Sequence, residues 1–188
     1  MRPIRLVMQA FGPYAGHQEL RLDDLGETGL YAITGETGAG KTTIFDAIVY
    51  ALYGSGSGED RSTGRDFRSV AADPSVETYV ELEFVSGGKT YHIRRSPDQS
   101  LTGKRKADLV PRPAAQTLTM PDGTKYTRVK EIDERIEQDI LGVTKDQFCQ
   151  IVMIAQGEFR KLLRADTQER TKILRRIFKT ERFILISI

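Results

Sequence analysis

The sequence predicts an α/β fold, and three observations predict it. A glycine-rich stretch, Gly35-Glu36-Thr37-Gly38-Ala39-Gly40-Lys41-Thr42, lies between a β-type segment and an apolar helical pattern. Short alternating segments separated by glycine turns occur on both sides of that unit. From Val129 onward the apolar residues switch to spacings of three and four, the mark of helices. A chain of 188 residues is long enough for one domain with its own core.

Residues 4–11 read as a strand. Gly12-Pro13-Tyr14-Ala15-Gly16 breaks it, and residues 17–22 alternate and pair back onto it. A loop over 23–29 leads to Leu-Tyr-Ala-Ile-Thr at 30–34, a short buried-strand candidate. The glycine-rich loop follows, then a helix over Thr42 to about Tyr53. Residues 54–73 are polar and rich in glycine and serine, carry Arg61, Arg65 and Arg68, and are expected to be mobile without a ligand. Residues 76–84 and 90–95 alternate cleanly, with Ser86-Gly87-Gly88 as the hairpin turn between them. Residues 116–120 and 125–127 continue the sheet around Pro121-Asp122-Gly123. Val129, Ile132, Ile136 and Ile140 form one helical stripe, ended by Gly142. Thr144 is the N-cap of a next helix running to about Ala155, with Phe148, Ile151 and Val152 on its apolar side. A short helix over 159–163 and a last one capped by Asp166 or Thr167 complete the chain, the last striped by Ile173, Leu174, Ile177 and Phe178.

Bulk properties exclude several classes. The 28 basic and 26 acidic residues nearly cancel, so net charge alone marks no polyanion binder. Cys149 is the only cysteine, which rules out an intrachain disulfide and suits a reducing cytoplasm; it reads as a small buried hydrophobe. No apolar run reaches the roughly 18 residues of a membrane span, and the N-terminus lacks the pattern of a secretory signal.

Residues 35–42 fit G-x-x-x-x-G-K-[ST] in the strand-before, helix-after context that gives the pattern its meaning. Glycines let the backbone curl so that successive N–H groups converge on an anion, and the following helix aims its positive end at the same point. Gly35, Glu36, Thr37, Gly38, Ala39, Gly40, Lys41, Thr42 and Thr43 are therefore the expected nucleotide-binding set. Lys41 brings a full charge to the β- and γ-phosphates, and the Thr42 hydroxyl is a suitable ligand for Mg²⁺. Thr144-Lys145-Asp146-Gln147 has the wrong order for a guanine-reading element, and Asp139-Ile140-Leu141-Gly142 sits at a helix stop, so neither points to a GTPase.

The chain resembles the SbcC family of double-strand-break-repair ATPases. The resemblance is carried by Ala10-Phe11-Gly12-Pro13-Tyr14, by the loop above with Asp46-Ala47-Ile48 and Ala51-Leu52-Tyr53-Gly54, and by Phe67-Arg68-Ser69. Ala155-Gln156-Gly157-Glu158-Phe159 and Glu169-Arg170 with the apolar stripe beyond it complete the set, in the same order. It implies an ATP-binding-cassette type of P-loop NTPase head, of which residues 1–165 form the N-terminal lobe with a mixed or antiparallel β-subdomain. Residues 166–188 would begin a coiled-coil arm, although the apolar ending Phe183-Ile184-Leu185-Ile186-Ser187-Ile188 does not continue a heptad seam. By the same resemblance Gln156 is a catalytic glutamine that touches Mg²⁺ and places the attacking water, Lys41 is its catalytic partner, and residues 11–15 and 54–69 line the base and ribose side of ATP.

The resemblance also implies partners: the C-terminal half of the same protein, a second head with ATP sandwiched between the two, an SbcD-like nuclease, and double-stranded DNA. It implies no membrane, and a cytoplasmic location associated with the nucleoid. The sequence shows no apolar strand ending in Asp-Glu, and Val85-Ser86-Gly87-Gly88-Lys89 reads as a turn rather than a signature loop, so this chain alone is expected to be inactive. Lys104-Arg105-Lys106 is a candidate phosphate contact or plain solvated surface, and for the basic residues of 160–182 the resemblance implies coiled-coil surface or docking of a partner nuclease. A stand-alone nucleotide kinase with residues 54–73 as a lid, and a structural adaptor with a vestigial loop, are the alternatives.

Overall fold

The computed structural model describes residues 1–26, 32–57, 67–102 and 109–151. The chain divides into two compact units, Met1–Gly142 and Val143–Ile188.

The strands of the first unit are β1 (Arg2–Phe11), β2 (Tyr14–Arg21), β3 (Tyr79–Ser86), β4 (Lys89–Ser96), β5 (Gln99–Thr102), β6 (Leu109–Arg112), β7 (Ala115–Thr119) and β8 (Lys125–Tyr126). One sheet has the order β2-β1-β3-β4-β7-β8, while β5 and β6 form a separate ribbon. Every pairing in the larger sheet is antiparallel. The period-two alternation in the sequence becomes two faces. Leu6, Met8, Val80, Leu82, Phe84, Ile93 and Leu118 are fully buried. The other face carries an ion-pair row in which Arg5 meets Glu19 at 2.6 Å and Arg94 meets Glu81 and Glu77 at 3.2 Å each. The hairpin between β3 and β4 turns on Gly87 and Gly88, both at positive φ (56° and 74°), so the sequence resembling a signature loop is a two-residue turn.

The helix α1 (Lys41–Tyr53) buries Ile44, Ala47, Val49, Tyr50, Ala51 and Leu52. It stops at Gly54, which takes the left-handed conformation (φ 72°) and returns its N–H to the Tyr50 carbonyl. There the Arg95 side chain, on β4, donates to the Ala51 carbonyl at 2.8 Å and the Leu52 carbonyl at 3.0 Å. It also meets Asp133 at 2.7 Å. Tyr50 packs with Phe11 and Phe67, whose rings stack at 4.8 Å. Burial raises the Tyr50 phenol well above its ordinary pKa, against the opposing pull of Arg95. A raised folded pKa means that this contribution to stability is complete below the unfolded value, about 10, and is lost as pH rises above it. Tyr50→Phe is therefore expected to flatten the loss of stability between about pH 10 and 11, measured by urea unfolding at fixed pH.

Several features depart from the sequence reading. Residues 32–34 belong to no strand, and the rest of that candidate, Leu30 and Tyr31, lies outside the described residues. The strand expected from Val76 starts at Tyr79, because the preceding backbone is used otherwise: Arg68 donates to the Val76 carbonyl at 2.7 Å, and the Gln99 amide accepts the Thr78 N–H at 2.7 Å and donates to the Thr78 carbonyl at 3.0 Å. The Arg68 contact also anchors the end of the 54–73 segment, for which the composition predicts mobility. Phe67 is buried, Arg68 bridges to Phe11, and Ser69 N–H donates to the Ala10 carbonyl at 2.8 Å. Arg61 and Arg65 lie outside the described residues.

The unforeseen β5–β6 ribbon occupies the basic stretch, and Lys104, Arg105 and Lys106 lie outside the described residues. Finally, the helix α2 (Val129–Glu134) continues as a π-helical turn over Arg135–Ile140. Ile132, Ile136 and Ile140, spaced four apart, stay buried through the change of helix type. Val129, expected in the stripe, is 48% exposed.

In the second unit, α3 (Lys145–Ile151) opens with a reciprocal cap. Gln147 N–H donates to Thr144 Oγ1 at 3.5 Å, and Thr144 N–H donates to Gln147 Oε1 at 3.1 Å. Thr144→Ala should cost α3 about 1 kcal/mol, read as faster hydrogen exchange of its amides. Phe148 is buried as expected and Cys149 is half-buried. The stretch from Val152 onward, including Gln156, the 159–163 helix and the stripe from Asp166, lies outside the described residues.

Candidate phosphate-binding loop

The site is assembled by the β1–β2 turn and the loop that opens α1. Near its end β1 carries a bulge at Ala10, a buried residue with φ 49°, in the left-handed region that side chains rarely adopt. The Ala10 carbonyl is held by Ser69 N–H and by the Thr78 hydroxyl at 3.2 Å. The bulge redirects the chain into Gly12-Pro13, and Gly12 N–H donates to the Phe67 carbonyl at 2.7 Å.

This turn presses against the glycine-rich loop. A Cβ on Gly12 would stand 2.7 Å from Thr43 Cγ2, and one on Gly40 would stand 2.7 Å from Tyr14 Oη and 3.0 Å from Pro13 Cγ. Gly40 also has φ 88° as the N-cap of α1, so both its conformation and its surroundings require glycine. Its carbonyl accepts Thr43 N–H at 3.0 Å, closing the first turn of the helix, and the Tyr14 hydroxyl at 3.3 Å.

Lys41 folds back across the loop, and its Nζ donates to the carbonyls of Gly35 and Glu36, both at 2.6 Å. Ala39 N–H closes a small turn onto the Glu36 carbonyl at 3.2 Å. The N–H groups of Gly38, Gly40, Lys41 and Thr42 donate to no backbone carbonyl of a described residue. Glu36, Thr37, Gly38, Ala39 and Thr42 are exposed, and Thr43 is half-buried against Gly12. Residues 35–43 are thus brought together around N–H donors that have no acceptor among the described residues, an ammonium group and the positive end of a thirteen-residue helix. Such a concavity suits a polyanion. Among the described residues no group of three or more His, Cys, Asp or Glu side chains converges. The exposed Thr42 hydroxyl, at the start of α1, is an oxygen ligand suited to a hard cation at this loop.

Behind the loop, Asp46 is buried on α1 and accepts the Ser57 hydroxyl, tying the start of the 54–73 segment to the same helix. Sequence reasoning found residues 35–43 but not the packing of Tyr14 on Gly40, nor the Asp46–Ser57 and Arg95 ties. The Gly12-Pro13 dipeptide signals a turn, yet nothing local says what the turn packs on.

Among the described residues no helix is long and apolar enough to cross a membrane. Residues 5–184 match the family described as AAA domain. The SbcC subunit of the SbcCD nuclease from Vibrio cholerae is 39% identical over 96% of this chain. The Lactococcus lactis protein of the same name is 35% identical over 100% of the chain, and that from Treponema pallidum 32% over 97%. The chain spans 18% of the Vibrio and Lactococcus proteins and 17% of the Treponema one. Among solved structures, the SMC head domain from Thermotoga maritima aligns with 72% of this chain and 42% of that one at 22% identity, with a TM-score of 0.42. With its loop at residues 35–42 and a match covering nearly its whole length, the chain belongs to the AAA domain family, and its resemblance to the SbcC family holds from end to end.

Proposed function

We propose that this chain is the ATP-binding N-terminal half of an SbcC-like ATPase, acting in DNA end processing and double-strand-break repair. The observation that carries the reading is the loop itself, with Lys41 spanning the Gly35 and Glu36 carbonyls beside N–H donors that have no acceptor among the described residues, in a chain 39% identical to the SbcC subunit of an SbcCD nuclease. ATP with Mg²⁺ supplies the phosphoryl group and the charge-neutralising ion. The N–H groups of Gly38, Gly40, Lys41 and Thr42 would hold the β-phosphate, the Lys41 ammonium would exchange the Gly35 and Glu36 carbonyls for the β- and γ-oxygens, and the Thr42 hydroxyl would ligate the ion. Gln156 orients the attacking water. A γ-phosphoryl group in transit has little covalent demand, so position and charge are what the loop contributes.

The domain reading extends this proposal. Residues 1–165 form the half-head and residues 166–188 start a coiled-coil arm. The C-terminal half of the protein, a second head, an SbcD-like nuclease and double-stranded DNA complete the working assembly in the cytoplasm. The test is Mg-ATP hydrolysis by this chain with and without a matching C-terminal half. Negligible turnover alone and restored turnover on mixing is the expected result. Phosphoryl transfer to a small acceptor by the chain alone would instead make it a nucleotide kinase. Gln156→Ala should spare ATP binding and slow hydrolysis roughly tenfold in the mixed sample.

A further inference from the structure

The geometry points to Tyr14 as the positioning residue of the phosphate loop, a prop that sets the loop's shape through Gly40. This inference rests on the nucleotide-binding reading above and goes beyond it, because Tyr14 acts on the loop rather than on the base. The phenol end of Tyr14 occupies the space that a Gly40 side chain would fill, with Oη and Cζ at 2.7 and 2.9 Å from that point. Its hydroxyl donates to the Gly40 carbonyl at 3.3 Å, longer than the usual O–H···O distance, so ring contact contributes more than the hydrogen bond.

The prop is itself fixed. Gly12 abuts Thr43 on one side and donates to the Phe67 carbonyl on the other, while Phe67 stacks on Phe11 and touches Tyr50 of α1. The turn therefore cannot retreat without breaking the aromatic cluster beneath it. Gly40 lies at the joint between the curled loop and the helix, and its carbonyl also receives the first helical hydrogen bond, from Thr43. Pressure at this one residue sets how the Lys41 and Thr42 N–H groups are aimed, and hence how well the loop holds phosphate of any kind.

The consequence separates Tyr14 from a base-stacking aromatic. Titration calorimetry of the whole chain with MgATP and with inorganic tripolyphosphate gives the readout. Tyr14→Ala should weaken both ligands by the same factor, roughly tenfold, and Tyr14→Phe, which keeps the ring against Gly40, should recover most of it, leaving less than about a twofold loss. Ligand-free melting of Tyr14→Phe should match the unaltered chain. A loss confined to MgATP, with tripolyphosphate unchanged, would overturn the inference in favour of a base contact. Equal binding by all three proteins overturns it as well. Failure of the unaltered chain to bind either ligand would overturn the nucleotide reading and this inference together, so the two failures are distinguishable.

Discussion

Lys41→Ala is expected to weaken MgATP binding at least about a hundredfold. The ammonium group makes two 2.6 Å contacts to the carbonyls of Gly35 and Glu36. A triphosphate arriving at the loop competes for those donors and offers full negative charge in place of carbonyl dipoles. Each charge-assisted hydrogen bond is worth about 1.5–3 kcal/mol, and alanine removes at least two together with the charge. Lys41→Arg should not rescue binding, since a planar guanidinium cannot enter a loop shaped around a compact ammonium on a flexible stem. The direct measurement is thermal unfolding. The unaltered chain should melt higher with MgATP, by an amount that grows with ligand concentration, while Lys41→Ala should show no shift. The ligand-free melting points should agree closely, because the lost contacts are to exposed carbonyls that water can serve. A normal ligand shift in Lys41→Ala would sink the assignment of this loop.

Signals that act locally were legible in the sequence. The loop at residues 35–43 announces itself because glycine, lysine and threonine at fixed offsets answer to one chemistry. The turns at Gly87-Gly88 and Pro121-Asp122-Gly123, the cap at Thr144 and the stop at Gly142 all follow from backbone preferences within a few residues. The features that escaped depend on distant partners. Arg68 reads as one more arginine in a polar stretch, and only the fold brings it to the carbonyls of Asp73 and Val76, to Thr78 and to Gln99. The β5–β6 ribbon hides in a basic stretch because it lacks the alternation of a half-buried strand; Leu109–Arg112 is exposed throughout. Residues 32–34 look like a strand by composition, but composition cannot supply a neighbour to pair with. Of the site, residues 35–43 were legible and are brought together, whereas Tyr14 was placed only in a segment lining the base side.

Arg95→Leu is expected to lower the stability of the chain by about 3–4 kcal/mol, although the residue lies on a strand where the alternation pattern reads simply as polar. Its side chain is 5% exposed and sits on the core side of β4, in line with Tyr91 and Ile93. A cation there is explained by what it faces. The last carbonyls of α1 have no helical donors, and those of Ala51 and Leu52 belong to buried residues that water does not serve. The guanidinium supplies both donors in one rigid fork and places positive charge at the negative end of the helix dipole, with Asp133 as counter-ion. Gly54 leaves room for it; any Cβ there would stand 3.0 Å from Arg95 Nη1. Leucine fills part of the volume but leaves two buried carbonyls unpaired. Arg95→Lys should recover only part of the loss, since one ammonium cannot reach two carbonyls and a carboxylate in that fixed geometry. Asp133→Asn should cost less, about 1 kcal/mol, because Asp133 is 40% exposed. Urea unfolding gives all three values, and a change under about 1 kcal/mol for Arg95→Leu would refute the account. The same variant should keep most of its MgATP affinity at low temperature. Arg95 holds the far end of α1, while Gly12 and Tyr14 hold the end that carries the phosphate loop, so the helix can loosen at one terminus without disturbing the donors at the other.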